Sequence, residues 1–305
     1  HAKDKGRNSI QVNSVMKELN SKKFSMPLRK FANEYDIEYD SKSKKLVDFK
    51  LFIIMDLDDC TLEKAKQFKD KSMFNGHLLY DYIVPIYNEE KTIRDFIYNL
   101  YCLHDIDKHE VLFIDGGSSD KTHEILDELS YFGYSYHISD KKGRANQMNY
   151  GAKISKGDIL WFVHADSVLQ KDVIKKILNC PTPVGCLKIR FYPNSIKMRM
   201  NALVSNMRAS ITNLAFGDQA IFIKREVFEE IGGYKDMPLM EDYRISEDLS
   251  AKSYKITVID SPITASTRRY KGKPLSTMWQ MQKFQRMYRQ GVPVEELAKL
   301  YKDIR

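Results

Sequence analysis

The chain has 305 residues, of which 43% are hydrophobic and 30% are charged, so it can bury a full core, and one main domain with appendages is expected. No uninterrupted apolar run approaches the roughly 20 residues of a membrane span, and the polar first residues predict no signal peptide. These features argue against a membrane-spanning protein and favour a cytoplasmic one.

The distribution of charge indicates which partners the chain could contact, and the cysteine spacing indicates the state of its thiols. The net charge of +8 is concentrated in residues 268–305, which carry ten Lys or Arg against three Asp or Glu. Such a segment can contact phosphate groups, acidic lipid or nucleic acid, although a solvated helix face is the commoner explanation, and we expect no nucleic-acid partner. The cysteines show no metal-finger spacing and are predicted to be free thiols; they are Cys60, Cys102, Cys180 and Cys186.

Residues 1–76 are predicted to form an accessory region, a small α/β appendage. The apolar stretch DFKLFIIMD predicts a strand that ends in an acidic cluster containing Asp56, Asp58 and Asp59. The stretch MDLDDCTL is similar to the nucleophile motif of haloacid-dehalogenase-type phosphatases, but one extra residue precedes the threonine. The alternative is an acidic turn that caps a helix over residues 62–69, and we expect no catalytic group here.

From Tyr80 onward, strands alternate with helices of ten to fifteen residues. The predicted strands are YDYIVPIYN, HEVLFIDGG, YSYHIS and DILWFVHAD, and amphipathic helices lie between them. This alternation predicts a mostly parallel, Rossmann-like sheet with right-handed crossovers. No GxGxxG motif follows the first strand, so we expect no dinucleotide cofactor.

The fourth of these strands is predicted to deliver His164 and Asp166 at its carboxyl end, where open α/β sheets bind ligands. Two residues apart on an extended chain, the two side chains point the same way, so an imidazole and a carboxylate could share one divalent cation. The alternative is that Asp166 caps the helix that begins near Leu169.

Four motifs stand in a specific order: VPIYNEE, FIDGGSSDKT, KGRANQMNYGA and the strand that ends at Asp166. This order resembles family-2 glycosyltransferases of the GT-A fold, and the resemblance continues through GDQAIFIKREVFEEIGGY and PLMEDYRISEDL over about residues 80–304. It is closest to the bacterial branch often labelled selenodomain-associated transferase. The resemblance implies a GT-A domain over residues 77–267, with a mixed central sheet, followed by a basic C-terminal helical segment over residues 268–305.

The resemblance also assigns residues to a nucleoside diphosphate sugar, expected to be a UDP-sugar. The residues expected at the uracil, ribose, diphosphate and sugar are Pro85, Tyr87, Glu89, Asp115, Arg144, Ala165 and Asp218. The alternatives are a turn-forming role for Asp115, a surface position for Arg144 and a helix-capping role for Asp218.

Asp166 corresponds to the last acidic residue of the family's DxD motif, the ligand of a Mn²⁺ or Mg²⁺ ion at the diphosphate. His164 stands at the first acidic position of that motif, and Mn²⁺ tolerates a nitrogen ligand better than Mg²⁺ does. Asp242 corresponds to the general base and Glu241 to its neighbour in the ED motif. The alternative for this pair is a helix N-terminal role, and Glu247 with Asp248 is expected to be solvated surface.

Two apolar helical stretches follow the nucleotide-binding half. The methionines of SIKMRMNALVSNMRASITNLAF are predicted to fill the core. The C-terminal stretch PLSTMWQMQKFQRMYRQG carries an apolar stripe that is predicted to dock on the domain, formed by Leu275, Met278, Trp279, Met281, Phe284 and Tyr288. The alternative is that this basic helix lies on a membrane, as a peripheral contact.

Together these features predict a metal-dependent, inverting glycosyltransferase that moves a sugar to an unknown acceptor, which could be a small molecule, a lipid-linked molecule or a peptide. Two alternatives stay open. One is a degenerate scaffold that binds a nucleotide sugar, and the other is a sugar-phosphate or nucleotidyl transferase.

Overall fold

The computed structural model describes residues 39–40, 45–46, 80–106, 109–267, 270 and 274–302. Within residues 1–76 the structure describes one short antiparallel pair, β1 (Tyr39–Asp40) with β2 (Lys45–Leu46). The acidic cluster predicted at residues 56–59 lies outside the described residues. Among the described residues, no helix combines the length and the apolar character needed to span a bilayer.

The first half of the main domain follows the predicted alternation of strands and helices. Its elements are β3 (Tyr80–Ile86), α1 (Ile93–Leu100), β4 (Glu110–Asp115), α2 (Thr122–Glu128), β5 (Ser135–Ile138), α3 (Arg144–Ile154) and β6 (Ile159–Phe162). All four strands are parallel, with β3 between β4 and β6, and β5 beside β4. The chain therefore reverses direction across the sheet at β3 and β6, and their carboxyl ends form a crevice that suits ligand binding.

The second half extends the same sheet and makes it mixed. Its elements are β7 (Ser167–Val168), α4 (Val173–Leu178), β8 (Val184–Tyr192), α5 (Ile196–Thr212), β9 (Phe222–Lys224), α6 (Arg225–Glu230), α7 (Glu241–Ala251), β10 (Thr257–Ser266), α8 (Pro274–Arg289) and α9 (Val294–Lys302). The eight strands lie in the order β5-β4-β3-β6-β9-β8-β10-β7. Strand β9 runs antiparallel to both β6 and β8, while β10 is parallel to β8. The predicted α/β class with a mixed central sheet is confirmed.

Apolar side chains fill both faces of the sheet. On one face, the rings of Tyr82 and Trp161 lie 4.7 Å apart, and both side chains are buried. On the other face, α3 lies so close to the sheet that a Cβ atom on Gly151 would come within 2.5 Å of Ile83 Cγ2. The glycine therefore sets the distance between α3 and the strands whose ends carry the crevice.

Strand β6 is shorter than predicted. It ends at Phe162, and the chain then turns, with the Ser167 backbone N–H donating to the His164 carbonyl at 3.2 Å. The alternation of side chains along an extended strand therefore does not apply to His164 and Asp166. The prediction missed this turn because the apolar run continues through Val163, whose side chain is buried beyond the strand end.

The cysteine prediction holds for two residues and is wrong for a third. Cys180 and Cys186 are free thiols, whereas Cys102 is disulfide-bonded. Disulfide pairing depends on the distance between two backbone positions in the fold, and no sequence spacing around Cys102 indicates it.

Candidate active site

A cavity of about 530 Å³ lies at the carboxyl ends of the first strands. Loops after β3, β4 and β6 form its floor, α3 and α7 form one wall, and α5, α8 and α9 form the other. The residues with the most direct chemical relevance in its lining are Tyr87, Gly116, Arg144, Gln147, His164, Arg208, Asp218, Glu241, Asp242 and Tyr301.

Asp115 holds the loop after β4 in shape. It is completely buried, and its Oδ2 accepts hydrogen bonds from the backbone N–H groups of Gly117 at 2.8 Å and Ser118 at 2.9 Å. The same oxygen lies 3.0 Å from His123 Nε2. Gly117 has φ +90°, a conformation that favours glycine and lets the loop turn back over the carboxylate. These contacts match the alternative predicted for Asp115, a turn-forming role.

Hydrogen bonds join the loop after β3 to the loop after β4. The Asn88 N–H donates to Ser118 Oγ at 2.8 Å, and the Ser119 N–H donates to Asn88 Oδ1 at 2.8 Å. Glu89 is used at the start of α1, where its side chain accepts from Thr92 Oγ1. Because Asn88 and Glu89 hold the loop, the ring of Tyr87 is left 55% exposed at the cavity, in a position where a flat ligand could stack.

Gln147 is a buried residue of the site that the sequence prediction missed. Its side-chain amide donates to the carbonyl oxygens of Ile86 and Ile114, each at 2.7 Å, and so links the ends of β3 and β4. A Cβ atom on Gly116 would lie 3.1 Å from this amide, so the glycine makes room for it. The KGRANQMNYGA motif contains this glutamine, but its sequence does not indicate which face of α3 is buried.

The acidic pair at the start of α7 faces an arginine. Arg144 Nη1 lies 3.1 Å from Glu241 Oε1 and 3.9 Å from Asp242 Oδ2. Burial of Asp242 raises the pKa of its carboxyl to about 7, and the negative charge of Glu241 adds to this effect. Arg144 and the backbone N–H of Gly217 act in the opposite direction and stabilise the carboxylate. Asp242 therefore changes its protonation state near neutral pH.

Gly217 brings His164 and Asp242 to the same point. A Cβ atom on this glycine would lie 2.8 Å from His164 Nε2 and 2.9 Å from Asp242 Oδ2, so no larger residue fits without displacing one of them. Asp242 Oδ1 is buried and accepts no hydrogen bond from the described residues. Because buried polar atoms normally have a partner, this oxygen is a position where a bound ligand could place a proton donor or a cation.

Arg208 contributes a second cation, which the sequence prediction missed. Its guanidinium lies 3.8 Å from the centre of the Phe216 ring, and its Nε donates to the Leu214 carbonyl at 3.1 Å. Burial lowers the pKa of Arg208, although Asp218 opposes this shift. Arg208 lies in the last third of the Met-rich helix α5, and the sequence does not indicate that its side chain faces the cavity.

The C-terminal helices complete the cavity. Met278, Met281 and Phe284 of α8 line it, together with Ala298 and Tyr301 of α9. Phe284 is only 6% exposed, so this part of the predicted stripe docks as expected. Trp279 is 69% exposed, and its predicted docking is wrong because it projects from the opposite side of the helix.

The structure therefore brings together six of the predicted site residues: Tyr87, Arg144, His164, Asp218, Glu241 and Asp242. Five others do not line the cavity: Pro85, Glu89, Asp115, Ala165 and Asp166. Pro85 lies within β3, and Ala165 is buried. Asp166 still contributes to the electrostatics, because its negative charge helps to raise the pKa of Arg144 against the opposing effect of burial.

The described residues contain no group of three or more His, Cys, Asp or Glu side chains that could hold a metal ion. The candidate donors are His164 Nε2, the Asp166 carboxylate predicted from the sequence, and Asp242 Oδ1, the last of which has no hydrogen-bond partner among the described residues. This donor set fits a divalent cation only if ligand oxygens complete the coordination, as the oxygens of a diphosphate can.

Comparisons with known proteins agree with this arrangement. Residues 81–179 match the profile of glycosyl transferase family 2. Poly-beta-1,6-N-acetyl-D-glucosamine synthase from Staphylococcus aureus (strain COL) is 29% identical over 93 residues, which are 30% of this chain and 22% of that protein. Beta-monoglucosyldiacylglycerol synthase from Synechocystis is 24% identical over 203 residues, 59% of this chain and 42% of that protein. The chain thus spans less than half of the length of either relative.

Among solved structures, mannosyltransferase PcManGT from Pyrobaculum calidifontis, determined with GDP-Man and Mn²⁺, has a similar fold. The TM-score is 0.53 at 20% identity, over 77% of this chain and 72% of that chain. The profile match covers β3 to α4, the elements whose strand ends form the floor of the cavity. Residues 81–179 therefore resemble glycosyl transferase family 2, and they form the first half of a GT-A-like fold.

Proposed function

We propose that this protein transfers a glycosyl unit, with inversion, from a nucleoside diphosphate sugar to the hydroxyl of an acceptor. The observation that carries the proposal is the meeting of Arg144, Glu241, Asp242 and His164 in one cavity at the strand ends of a family-2 domain. A volume of about 530 Å³ lies in the usual range of small-molecule sites. Asp218 of the GDQ motif and the three residues of the MED motif line it, and both motifs also favour the selenodomain-associated branch.

The donor is assigned to the floor of the cavity and is expected to be a UDP-sugar. The exposed ring of Tyr87 offers a stacking surface for the base, and the backbone at Gly116 allows a close approach. Arg144 and Arg208 supply positive charge that can neutralise the diphosphate as it leaves. Asp115 supports this site indirectly, since its oxygens hold the loop that carries Gly116.

A divalent cation, Mn²⁺ or Mg²⁺, would be held by His164 and Asp166 together with the donor diphosphate. When bound, it would act as a Lewis acid that stabilises the negative charge of the leaving diphosphate. The presence of Mn²⁺ in the PcManGT structure supports a cation in this kind of fold. His164 and Asp166 together supply less negative charge to the cation than the two carboxylates of a DxD motif would.

Asp242 is assigned as the general base. Its Oδ1 is free to accept the proton of the acceptor hydroxyl, and a pKa of about 7 suits proton removal near neutral pH. As that proton moves to Asp242, the acceptor oxygen forms a bond to the anomeric carbon, and the bond from this carbon to the diphosphate oxygen breaks. Glu241 is assigned to positioning, because it forms the shorter ion pair with Arg144.

The acceptor is assigned to the side of the cavity formed by the C-terminal helices. Met278, Met281 and Phe284 make this side apolar, whereas the donor side carries the charged groups. The acceptor could be a small molecule, a lipid-linked molecule or a peptide, and the apolar wall suits one that presents an apolar surface beside its hydroxyl.

A second candidate is a scaffold that binds the nucleotide sugar without turnover. His164 favours it, because a neutral imidazole replaces a carboxylate in the predicted cation site. The test is release of UDP from UDP-sugars, measured with Mn²⁺ and with a chelator, beside calorimetry of UDP binding. Turnover that depends on Mn²⁺ supports the transferase, whereas binding without any UDP release supports the scaffold.

A matched variant tests the cation site separately. We expect Mn²⁺ to increase the affinity of the wild-type protein for UDP, and Asp166→Ala to abolish that increase, because it removes the only carboxylate assigned to the ion. Asp158→Ala, an exposed position before β6, serves as the control. Equal UDP affinities with Mn²⁺ and with chelator in the wild-type protein would remove the cation from the proposal.

A further inference from the structure

Helix α5 presents an apolar face to solvent. Six of its residues are between 48% and 81% exposed: Ile196, Met200, Leu203, Val204, Met207 and Ile211. Their spacings of three and four residues place them on one side of a helix that is 17 residues long, about 25 Å. We call these six residues the α5 apolar face.

This face is separate from the side of α5 that packs on the domain. The buried residues of the helix are Met198, Asn201, Ala202 and Ala209, and they face strands β8 and β10. The prediction that the methionines fill the core is therefore wrong for Met200 and Met207, which are 54% and 49% exposed. A contiguous row of large apolar side chains on the solvent side is uncommon in a globular domain and marks an interaction surface.

The α5 apolar face adjoins the mouth of the cavity. Val204 belongs to the face and also lines the cavity, as do its neighbours Asn201 and Ser205. Helix α8, which packs against α5, lines the same cavity and exposes Trp279. Lys283 and Arg286 follow Trp279 at spacings of four and three residues and are also exposed, so all three share one side of α8.

The charges of the two helices indicate what covers this surface. Neither α5 nor α8 contains an Asp or a Glu, and five exposed basic residues lie on them: Lys197, Arg199, Lys283, Arg286 and Arg289. A second copy docked face to face would bring these cations against each other, which disfavours a self-associated pair. Apolar residues on two helices whose own charged residues are all basic complement a surface that is apolar inside and anionic outside.

We propose that the α5 apolar face, together with Trp279, Lys283 and Arg286, docks this protein on an anionic lipid bilayer. The apolar side chains enter the interfacial layer, Trp279 lies at the level of the head groups, and the basic side chains contact lipid phosphates. This assignment differs from the membrane contact expected from the sequence, which placed it on the C-terminal segment alone.

Docking in this orientation brings the mouth of the cavity to the bilayer surface. Where the proposed glycosyl transfer also holds, the acceptor is then a molecule whose hydroxyl is presented at that surface. The docking itself does not depend on turnover, so vesicle binding tests it without any donor or acceptor present.

The experiment is flotation of the full chain with vesicles of phosphatidylcholine, with and without about one third phosphatidylglycerol. We expect binding to the anionic vesicles that weakens when the salt rises from about 0.1 M to about 1 M, since this shortens the Debye length from about 10 Å to about 3 Å. Ile211→Glu should reduce binding at least about tenfold, because it places a carboxylate in an apolar surface that faces lipid phosphates.

Ile138→Glu is the matched control, since Ile138 is 58% exposed at the end of β5, on the opposite edge of the sheet. It should bind vesicles as the wild-type protein does, and circular dichroism should show that both variants are folded. Wild-type protein that does not float with anionic vesicles, or Ile211→Glu that floats equally well, overturns the proposal. A concentration-dependent dimer that Ile211→Glu dissociates would assign the face to a second copy and also overturn it.

Discussion

Asp242 combines burial, a neighbouring carboxylate and a nearby cation. Burial and Glu241 raise its pKa, while Arg144 and the Gly217 N–H favour the ionised form. These opposing effects leave a carboxyl that can exchange a proton near neutral pH. Glu241 lies one residue away, yet it pairs with Arg144 at 3.1 Å, so the two members of the ED motif have different surroundings and are expected to have different roles.

Substitution within this pair separates the two roles. Asp242→Asn keeps the size of the side chain and removes its basicity, so we expect donor binding to survive and transfer to fall roughly a hundredfold or more. Glu241→Gln should cost less, because it weakens the positioning of Arg144 without removing the base. Turnover and calorimetry of UDP binding measure the two effects.

Glu247→Gln is the matched control, because Glu247 is exposed on the same helix. If Asp242→Asn transfers sugar normally while Glu241→Gln does not, the assigned roles are reversed. If neither substitution matters, the proposed mechanism is wrong.

The raised pKa of Asp242 also has a consequence for stability. Between the ordinary value of 3.8 and a folded value of about 7, the folded state binds more protons at this group than the unfolded state does. The contribution of Asp242 to stability therefore decreases as the pH rises through this window. We expect Asp242→Asn to stabilise the metal-free protein by about 4 kcal/mol at about pH 8, with little gain at about pH 4.

Urea unfolding with a chelator present measures this difference, since a bound cation would itself lower the pKa. Asp140→Asn, at an exposed position, is the control and should change stability equally at every pH. An Asp242→Asn variant that gains no stability toward high pH would indicate that this carboxyl ionises in the ordinary range.

Residues that stand in a local motif at the start of a helix could be predicted from the sequence to lie at the cavity. Arg144, Glu241 and Asp242 were predicted and meet in the cavity, since each stands at the beginning of a helix where a motif fixes its direction. Gln147 and Arg208 were missed, because the sequence does not show which side of α3 or α5 faces the cavity. Asp115 was assigned to the ligand, but its oxygens are occupied by its own loop.

At the scale of elements, the hydrophobic periodicity predicted the strands and helices of the first half. It failed where tertiary contacts determine the end of a strand or the buried side of a helix. The apolar run of β6 continues past the strand because Val163 is buried in the turn that follows. The Met-rich period of α5 predicted a core face, yet the exposed side of the helix carries most of its large apolar residues. A helical period locates an apolar side but does not reveal what it contacts.

Helix α9 closes the cavity through one buried contact. Leu297 is completely buried, and on the same helix Ala298 and Tyr301 line the cavity. The Tyr301 ring also meets Phe284 of α8 in an edge-on contact at 5.8 Å between ring centres. We therefore expect α9 to hold the substrates in place through a small set of apolar contacts.

Leu297→Glu should undock α9, because it places a charge in an apolar contact, while the sheet and its two cores stay folded. The affinity for UDP or the rate of transfer should fall at least about tenfold. Losing several ligand contacts of this kind costs more than 1.4 kcal/mol of binding free energy, which corresponds to a factor of about ten. Leu300→Glu is the matched control, because Leu300 is 41% exposed on the same helix. Equal losses for the two variants, or none for Leu297→Glu, would contradict a closing role for α9.

At the scale of the whole molecule, the charges that bear on function lie in one part of the fold. The carboxylates of α7 and the guanidinium groups of Arg144 and Arg208 meet inside the cavity. The exposed cations of α5 and α8 lie outside its mouth. The profile match covers residues 81–179, so the C-terminal wall of the cavity and the surface beside it lie outside the matched part of the chain.

The accessory region, residues 1–76, contributes none of the described residues that line the cavity. Every residue that the structure brings to the cavity lies between Tyr87 and Tyr301, and the chemistry proposed there needs no further carboxylate. We therefore expect the acidic cluster at Asp56 and Asp58, which lies outside the described residues, to contribute no catalytic group. Replacing both residues by Asn should leave UDP-sugar hydrolysis within about twofold of the wild-type rate, whereas Asp242→Asn in the same assay should lower it roughly a hundredfold or more. A large loss of turnover in the folded double variant would mean that residues 1–76 take part in the reaction rather than in the choice of partner or acceptor.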